Sequence, residues 1–470
     1  MSTLTPLNLP EIRSLLATYL RRGDLARCIR VCMAWHASFL PALWSTLYPK
    51  SMSEQPYLSR AVLLRHRHYV RHLACNRGVF RYHADTQFPN LQTLLIFGDQ
   101  LLSTTVVALH PHISSLKLGV TASQCVPPLF WRVATATLHN LVELGLVGVQ
   151  VAKVDCADFW KICARLKTLI LQKTTIAEGP PAAVILLKLQ DIQISTEYGL
   201  SHDRQLDLMA RAPQLIHLCW HCPTLSICIA ITDQLTQYST RGTWPHLQRL
   251  DLGRSMASDT QLSLIVSKMY CVTELSVMTA RFGLFCLAAL RPHFPWLNIL
   301  HISKSLHSTG EFIPEILASC PHLESLKADT VLALEIIKGR RWVCQRSLKV
   351  LSLFFQMALK QSAAPYEQQG VFERLSECIN LRQLNVSCQI GGPLRRSLDF
   401  RLKKGLAKLG RLKQLEVVGF SNTLQEMDSE DVAWMIKNWV NVNFVRGTFN
   451  EDFGKTLDMQ AMFHAAGIKT

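Results

Sequence analysis

Leu247-Gln248-Arg249-Leu250-Asp251-Leu252 is a six-residue phrase with apolar side chains at its first, fourth and sixth positions. The same phrase reads Leu91-Gln92-Thr93-Leu94-Leu95-Ile96 early in the chain and Leu412-Lys413-Gln414-Leu415-Glu416-Val417 late. Fifteen versions can be read, starting at Val70, Leu91, Ile113, Leu141, Leu166, Val184, Leu215, Leu247, Val272, Leu297, Leu323, Leu348, Leu381, Leu412 and Val442, with successive starts 18 to 33 residues apart. In an extended segment alternate residues face opposite sides, so positions four and six enter a core and positions three and five face out. No single unit buries its apolar side alone. Each strand must pair with the next, which predicts a stack of parallel strands.

The segments between phrases carry helical signals. Ser258 and Asp259 stand where a helix is capped, and Leu262, Ile265, Val266 and Met269 follow at helical spacing. Pro89, Pro111, Pro213, Pro245, Pro295 and Pro321 each fall two residues before a phrase start, where proline stops a helix and extends the chain. Phrase and period resemble leucine-rich repeats, whose units run to about 20–29 residues. That resemblance implies an α/β solenoid with parallel strands on a concave face and helices on the convex face.

The chain has 470 residues, 49% hydrophobic and 18% charged, enough to bury a large core. Its first residues lack a basic segment followed by an apolar run, and its strongest apolar stretch, Ala182 to Leu187, is too short to span a bilayer. A soluble protein of the cytoplasm or nucleus, neither secreted nor membrane-bound, is expected. The fifteen cysteines are scattered, and Cys163, Cys320 and Cys378 occupy the slot three residues before a phrase start that Phe88, Trp244 and Phe294 fill elsewhere. They read as small core hydrophobes. Cys219 and Cys222, beside His217 and His221, have the spacing of half a zinc site, but no second cysteine pair completes it. No metal and no cofactor is expected, with Cys219 on a strand and Cys222 in a loop.

A formal charge of +16, from 50 basic and 34 acidic residues, raises acidic partners or nucleic acid. Arg60, Arg65, Arg67, Arg71, Arg77 and Arg81 form one basic stretch, and Arg395 to Lys413 form another, read as an amphipathic helix with Leu398, Leu402, Leu406 and Leu409 inward. No base-reading module accompanies the charge, so nucleic acid is not the expected partner. Phosphate-binding glycine loops, Gly-x-Ser-x-Gly elbows and His-Glu-x-x-His helices are also missing from the sequence, and no catalytic residue is assigned.

Residues 1–50 do not repeat. Pro10 is placed to open a helix carrying Ile12, Leu15, Leu16 and Leu20; Gly23 is expected to end it. Asp24 is expected to cap a second helix with Leu25, Cys28, Ile29, Cys32 and Trp35, and Pro41 to start a third. Leu9-Pro10, Asp24-Leu25, Val31-Cys32, Trp35 and Leu43-Trp44, in that order, resemble an F-box over residues 6–48. Together with the repeats, the chain resembles the F-box and leucine-rich-repeat family, notably its divergent fungal members; Glu11 directly follows Pro10, where the family usually has one residue between proline and glutamate.

The resemblance implies a substrate receptor of an SCF-type cullin-RING ubiquitin ligase, non-catalytic itself and monomeric within the complex. Its head would dock on a Skp-type adaptor, which joins it to the cullin scaffold, through Leu9, Pro10, Ile12, Leu15, Leu16, Leu20, Val31 and Trp35. A protein substrate would lie on the outward strand positions, for which His217, Arg249, Asp251, Glu274, His301, Glu324, Lys327, Lys349, Arg382 and Asn385 are the candidates. The alternative is a stand-alone repeat scaffold, binding protein or nucleic acid, with the head as a cap. The expected boundaries are a helical F-box-like domain at 1–50, a helical connector at 51–69, the repeats at 70–447 and a C-terminal tail at 448–470. The segment from Asp428 to Trp439 reads as a capped helix that closes the stack.

Overall fold

A computed structural model describes residues 6–47, 59–75, 85–98, 104–127, 129–195, 201–221, 225–254, 257–278, 282–302, 312–357, 364–388 and 397–470. The chain divides into two compact units, Met1–Leu215 and Ile216–Thr470.

In the first unit the strands are β1 (Thr46–Leu47), β2 (His72–Cys75), β3 (Thr93–Phe97), β4 (Ser115–Cys125), β5 (Glu143–Val151), β6 (Thr168–Gln172), β7 (Thr175–Ile176) and β8 (Asp191–Ser195). They pair in parallel in chain order from β1 to β6, then β6 with β8, while the short β7 pairs alongside the end of β5. In the second unit β9 (His217–His221), β10 (Arg249–Arg254), β11 (Glu274–Met278), β12 (Ile299–His301), β13 (Ser325–Leu332), β14 (Val350–Gln356), β15 (Gln383–Asn385), β16 (Val417–Gly419) and β17 (Phe444–Arg446) pair in parallel, each with its successor. Each unit is thus a parallel α/β ladder of repeats.

Each strand except the short β1 and β7 begins two residues after a buried phrase leader. The leader's N–H donates to a carbonyl three residues back, for example Leu91 to Phe88, Leu166 to Cys163 and Leu381 to Cys378, closing a turn. The next two N–H groups then converge on one carbonyl of the preceding repeat: Gln92 and Thr93 on Arg71 at 2.8 and 3.0 Å, Gln248 and Arg249 on Ile216 at 2.9 and 3.0 Å. The leaders and the fourth-position residues are almost wholly buried.

Two expected repeats sit elsewhere. The phrase placed at Val184 starts instead at Leu189: Leu189, Ile192 and Ile194 are buried, Leu189 N–H donates to the Leu186 carbonyl, and Gln190 and Asp191 both donate to the Lys167 carbonyl. Ile185 and Leu187 are exposed. The phrase placed at Leu412 starts three residues later at Leu415, since Gln383, Leu384 and Asn385 pair with Val417, Val418 and Gly419. The cause is a run of leucines every three residues. Leu406 and Leu409 belong to a 3-10 helix, whose side chains eclipse at that spacing, and Leu412 and Leu415 continue the period into the strand. All four are buried, so the spacing alone fits either start.

The basic stretch read as one amphipathic helix is two short 3-10 segments, Leu402–Lys404 and Leu406–Arg411, separated by Gly405 at φ +104°. Leu398, Leu406 and Leu409 do face inward, whereas Leu402 is only half-buried. The capped helices at Asp259–Val266 and Ser429–Asn438 form with reciprocal capping boxes on Ser258 and Asp428.

The head folds into α1 (Pro10–Tyr19), α2 (Arg22–Cys28) and α3 (Met33–Ser45) around Ala17, Leu25 and Phe39, with Leu20 and Trp35 packed against them. Gly23 does not end the first helix but lies inside α2. Leu20 leaves α1 in an extended conformation and turns onto the head's core. Pro41 does not begin a helix; α3 runs through it, because Phe39, Ala42 and Leu43 on both sides pack on that core. The helix thereby forgoes the bond to the Ala37 carbonyl. α3 leads directly into β1, which pairs with β2, and Ser45 accepts from the Arg71 N–H. The head thus covers the ladder's first edge, a position where open strand groups are otherwise a liability.

Of the expected connector, residues 60–69 are helical: an α-helix at Arg60–His66, then a 3-10 turn at Arg67–Tyr69. Residues 448–470, expected as a tail, carry a 13-residue helix, Phe453–Ala465, with Met459 and Phe463 buried. Lys469 then pairs with β17 through the Val445 N–H and the Asn443 carbonyl, covering the last edge.

The shifted start is testable. Leu189→Ala should cost about 2–5 kcal/mol, as truncation of a buried leucine does. Leu187→Ala, at a side chain 61% exposed, should stay within about 0.5 kcal/mol. Urea unfolding of the two variants reads the difference, and equal midpoints would return the repeat to Val184.

Candidate functional site

Within the second unit, parallel pairing places equal phrase positions side by side. One outward row runs His217, Arg249, Glu274, Ile299, Ser325 and Val350; the next runs Cys219, Asp251, Ser276, His301, Lys327, Ser352 and Asn385. Of the ten residues expected to contact a substrate, His217, Arg249, Asp251, Glu274, His301, Lys327 and Asn385 stand in these rows, and Glu324, Lys349 and Arg382 in the row one residue nearer the phrase start.

Several neutralise one another or a neighbour. Arg249 Nε lies 3.2 Å from Glu274, Lys349 Nζ 2.7 Å from Glu324, and Arg382 Nη1 3.7 Å from Glu416. Such half-exposed pairs contribute about 0–1 kcal/mol to stability; they keep both signs displayed along the face. Asn385 donates to Ser352 Oγ at 3.2 Å and accepts from the Ser387 N–H, so its amide orientation is set by the ladder.

The tightest grouping is one the sequence did not single out as a set. Cys219 and His221 sit two residues apart on β9 and share a face; Asp251 on β10 is the direct Cα partner of Cys219. His221 Nε2 lies 3.3 Å from Asp251 Oδ2 and 3.6 Å from Cys219 Sγ, and Cys219 Sγ lies 3.9 Å from the same Asp251 oxygen. Asp251 Oδ1 accepts from the Gly253 N–H at 2.9 Å, which turns Oδ2 toward the other two groups. The ladder slips register between Asp251 and Gly253, and Gly253 adopts φ +53°. A Cβ there would lie 2.4 Å from the His221 ring, so only glycine accepts both the conformation and the ring above it. One signal was legible: Cys219 and Asp251 occupy the same position of consecutive phrases. Cys222, the other half of the cysteine pair, lies outside the described residues.

The hydrogen bond to Asp251, helped by the one to Cys219, raises the His221 pKa to about 10. Burial works against the charge on Asp251, yet the bonds from His221 and Gly253 hold its carboxyl below the usual range. His301, on the same face, is pushed the other way, down to about 4, by burial and by Lys327. It shares a 2.9 Å hydrogen bond with Ser325 Oγ. Cys219 and Asp251 meet His221 at the same nitrogen. A nucleophile-base-orienter relay needs the two ring nitrogens to serve different partners, so this trio is convergent rather than a relay.

The head presents a second surface. Leu15 is 56% exposed, Tyr19 80% and Val31 62%, with Leu9, Leu16 and Met33 also exposed. Of the residues expected to face an adaptor, Leu9, Pro10, Leu15, Leu16 and Val31 are exposed, Ile12 is half-buried, and Leu20 and Trp35 pack inward, the Trp35 ring tilted against Phe39 at 5.3 Å. The two basic stretches carry local ion pairs: Arg60 to Asp85, Arg401 to Asp399 and Glu426, and Lys408 to Glu373. Arg77 and Arg81 lie outside the described residues, as does Arg395. Among the described residues no helix is long and apolar enough to cross a membrane.

The two histidines make opposite predictions. The folded pKa of His221 stands above the unfolded value of about 6.5, so its stabilisation is complete below that pH and drains away as pH climbs toward 10. That of His301 stands below it, so its contribution is present above about 6.5 and is lost as pH falls toward 4. Imidazole NMR titration should find His221 protonated and His301 neutral at pH 7, with Asp251→Asn returning His221 toward its ordinary value. A neutral His221 at pH 7 would overturn the raised pKa.

No protein-family model and no curated protein matches the chain. Among solved structures, a leucine-rich-repeat protein of Leptospira interrogans is similar at a TM-score of 0.41 and 14% identity, covering 89% of this chain and 100% of its own. An internalin of Listeria monocytogenes is similar at a TM-score of 0.39 and 15% identity, covering 75% of this chain and 86% of its own. The chain itself is a leucine-phrase repeat protein by its own ladder of parallel strands.

Proposed function

We propose that the chain is a protein-binding repeat scaffold serving as a substrate receptor of an SCF-type cullin-RING ubiquitin ligase, acting in the cytoplasm or nucleus. The head would engage a Skp-type adaptor, and the outward strand rows would hold a protein substrate; no residue of the chain performs ubiquitin chemistry. The observation that carries this reading is the number of exposed apolar side chains on the head. Leu9, Leu15, Leu16, Tyr19, Val31 and Met33 stay in water on a small helical domain whose residues follow the Leu-Pro, Val-Cys and Trp order of an F-box. Exposed apolar side chains in this number on so small a domain favour an interaction site. The mixed signs on the strand rows suit recognition of a protein by complementary charge better than a stripe that binds phosphate.

The second reading, a stand-alone scaffold, is favoured by one observation: α3 supplies β1, so the head already has work as an edge cover. Adaptor capture separates the two. Trp35 packs on Phe39, so its removal would disturb the head itself; Leu15→Asp with Val31→Asp changes only exposed positions. The intact chain should co-purify with a Skp-type adaptor, and the double variant, with an unchanged circular dichroism spectrum, should lose about tenfold or more of that affinity, as for an interface hot spot. Failure of the intact chain to capture the adaptor overturns the ligase reading and leaves the scaffold; equal capture by both forms overturns Leu15 and Val31 as its docking residues.

A further inference from the structure

We propose that Cys219, His221 and Asp251 form a binding site for a divalent transition cation of the Zn²⁺ type, with three protein ligands and a fourth position filled by water in the isolated chain. The three donor atoms all lie within 4.8 Å of one another. Zn–S near 2.3 Å and Zn–N and Zn–O near 2.0–2.2 Å, set at tetrahedral angles, require edges of about 3.4 Å between N and O and about 3.6 Å from S to either. The observed edges are 3.3 Å for N to O, 3.6 Å for S to N and 3.9 Å for S to O, each within about 0.3 Å of that figure.

The supporting shell is also present. The Gly253 N–H fixes Asp251 through its other oxygen, as carboxylates that ligate metals are held by a second hydrogen bond. Gly253 also leaves room for the His221 ring at a place where any Cβ would collide with it. Without a cation, a proton on His221 Nε2 would serve Asp251 Oδ2 and Cys219 Sγ, which lie 3.3 and 3.6 Å from that nitrogen. Cation binding displaces that proton and the Cys219 thiol proton to solvent, leaving a thiolate, a neutral imidazole and a carboxylate around a 2+ charge, a neutral set. Thiolate with imidazole selects Zn²⁺ over the oxygen-seeking Mg²⁺ and Ca²⁺. Cys219 and Asp251 are half-buried and His221 exposed, so a cation reaches the site from solvent.

The test uses the full-length chain, reduced and stripped with chelator, titrated with Co²⁺ as a spectroscopic stand-in and then with Zn²⁺. The expected result is one equivalent of Co²⁺ showing a thiolate-to-cobalt band in the near ultraviolet and tetrahedral visible bands, displaced by Zn²⁺ but not by excess Mg²⁺. Cys219→Ser should abolish the thiolate band, and Asp251→Asn should weaken Co²⁺ binding about tenfold or more. Cys32→Ser, which changes an exposed cysteine on the head, should change neither. Circular dichroism confirms that each variant is folded. The proposal is overturned if the intact chain shows no thiolate band, if the band survives Cys219→Ser, or if Asp251→Asn binds as tightly as the intact chain.

Discussion

One carbonyl per repeat accepts two N–H groups from the repeat that follows. In the first unit, Arg71, Gln92, Ser114, Val142 and Lys167 are such acceptors; in the second, Ile216, Gln248, Thr273, Asn298, Glu324, Lys349, Arg382 and Glu416 are. The shorter bond of each pair is 2.7–2.9 Å and the longer 2.9–3.3 Å. Both lone pairs of the carbonyl are thereby used, at the point where the chain passes from a turn into a strand. The arrangement ties register to the phrase leader. Once the leader is buried and its turn closed, the next strand has one place to pair, and a slip of one residue would turn its apolar set outward.

Everything on the outward face inherits that register. Asp251 meets Cys219 because both stand four residues after a buried leader, and the ion pairs Arg249–Glu274 and Lys349–Glu324 join residues at equal positions of neighbouring phrases. The bulge at Gly253 is the local exception. By slipping the ladder it brings a backbone N–H under Asp251 and clears the space that the His221 ring occupies. A strand face that would otherwise repeat one pattern acquires a place where three different donor atoms converge.

The two ends show how a ladder stops. At the first, helix α3 turns into β1; at the last, the helix Phe453–Ala465 brings Lys469 alongside β17. Both covers satisfy the edge groups of their own unit. Phe372, Phe400, Phe420, Phe449 and Phe463 pack in succession, in tilted and edge-on pairs at 5.3–6.0 Å, toward the last edge beside the buried leucines. Both covers leave apolar side chains in water, Leu15, Tyr19 and Val31 on the head and Phe453 and Leu457 on the C-terminal helix.

The sequence by itself determined the parallel ladder, because a phrase with apolar residues at fixed positions allows one buried face, and the prolines and capping residues mark where each strand begins. It also determined the helical character of the head and which strand residues face out. It did not determine phase where the apolar period was degenerate. Leu406, Leu409, Leu412 and Leu415 satisfy a 3-10 helix and a strand leader alike, and Val184 through Leu189 offers two overlapping phrases, decided only by which leader finds the carbonyl of the preceding repeat. Tertiary structure alone joined Cys219 and His221 to Asp251, thirty residues from His221 in sequence. The partner of a strand residue is set by register across the ladder, and the Gly253 bulge that orients the carboxylate is a property of the pairing rather than of either strand.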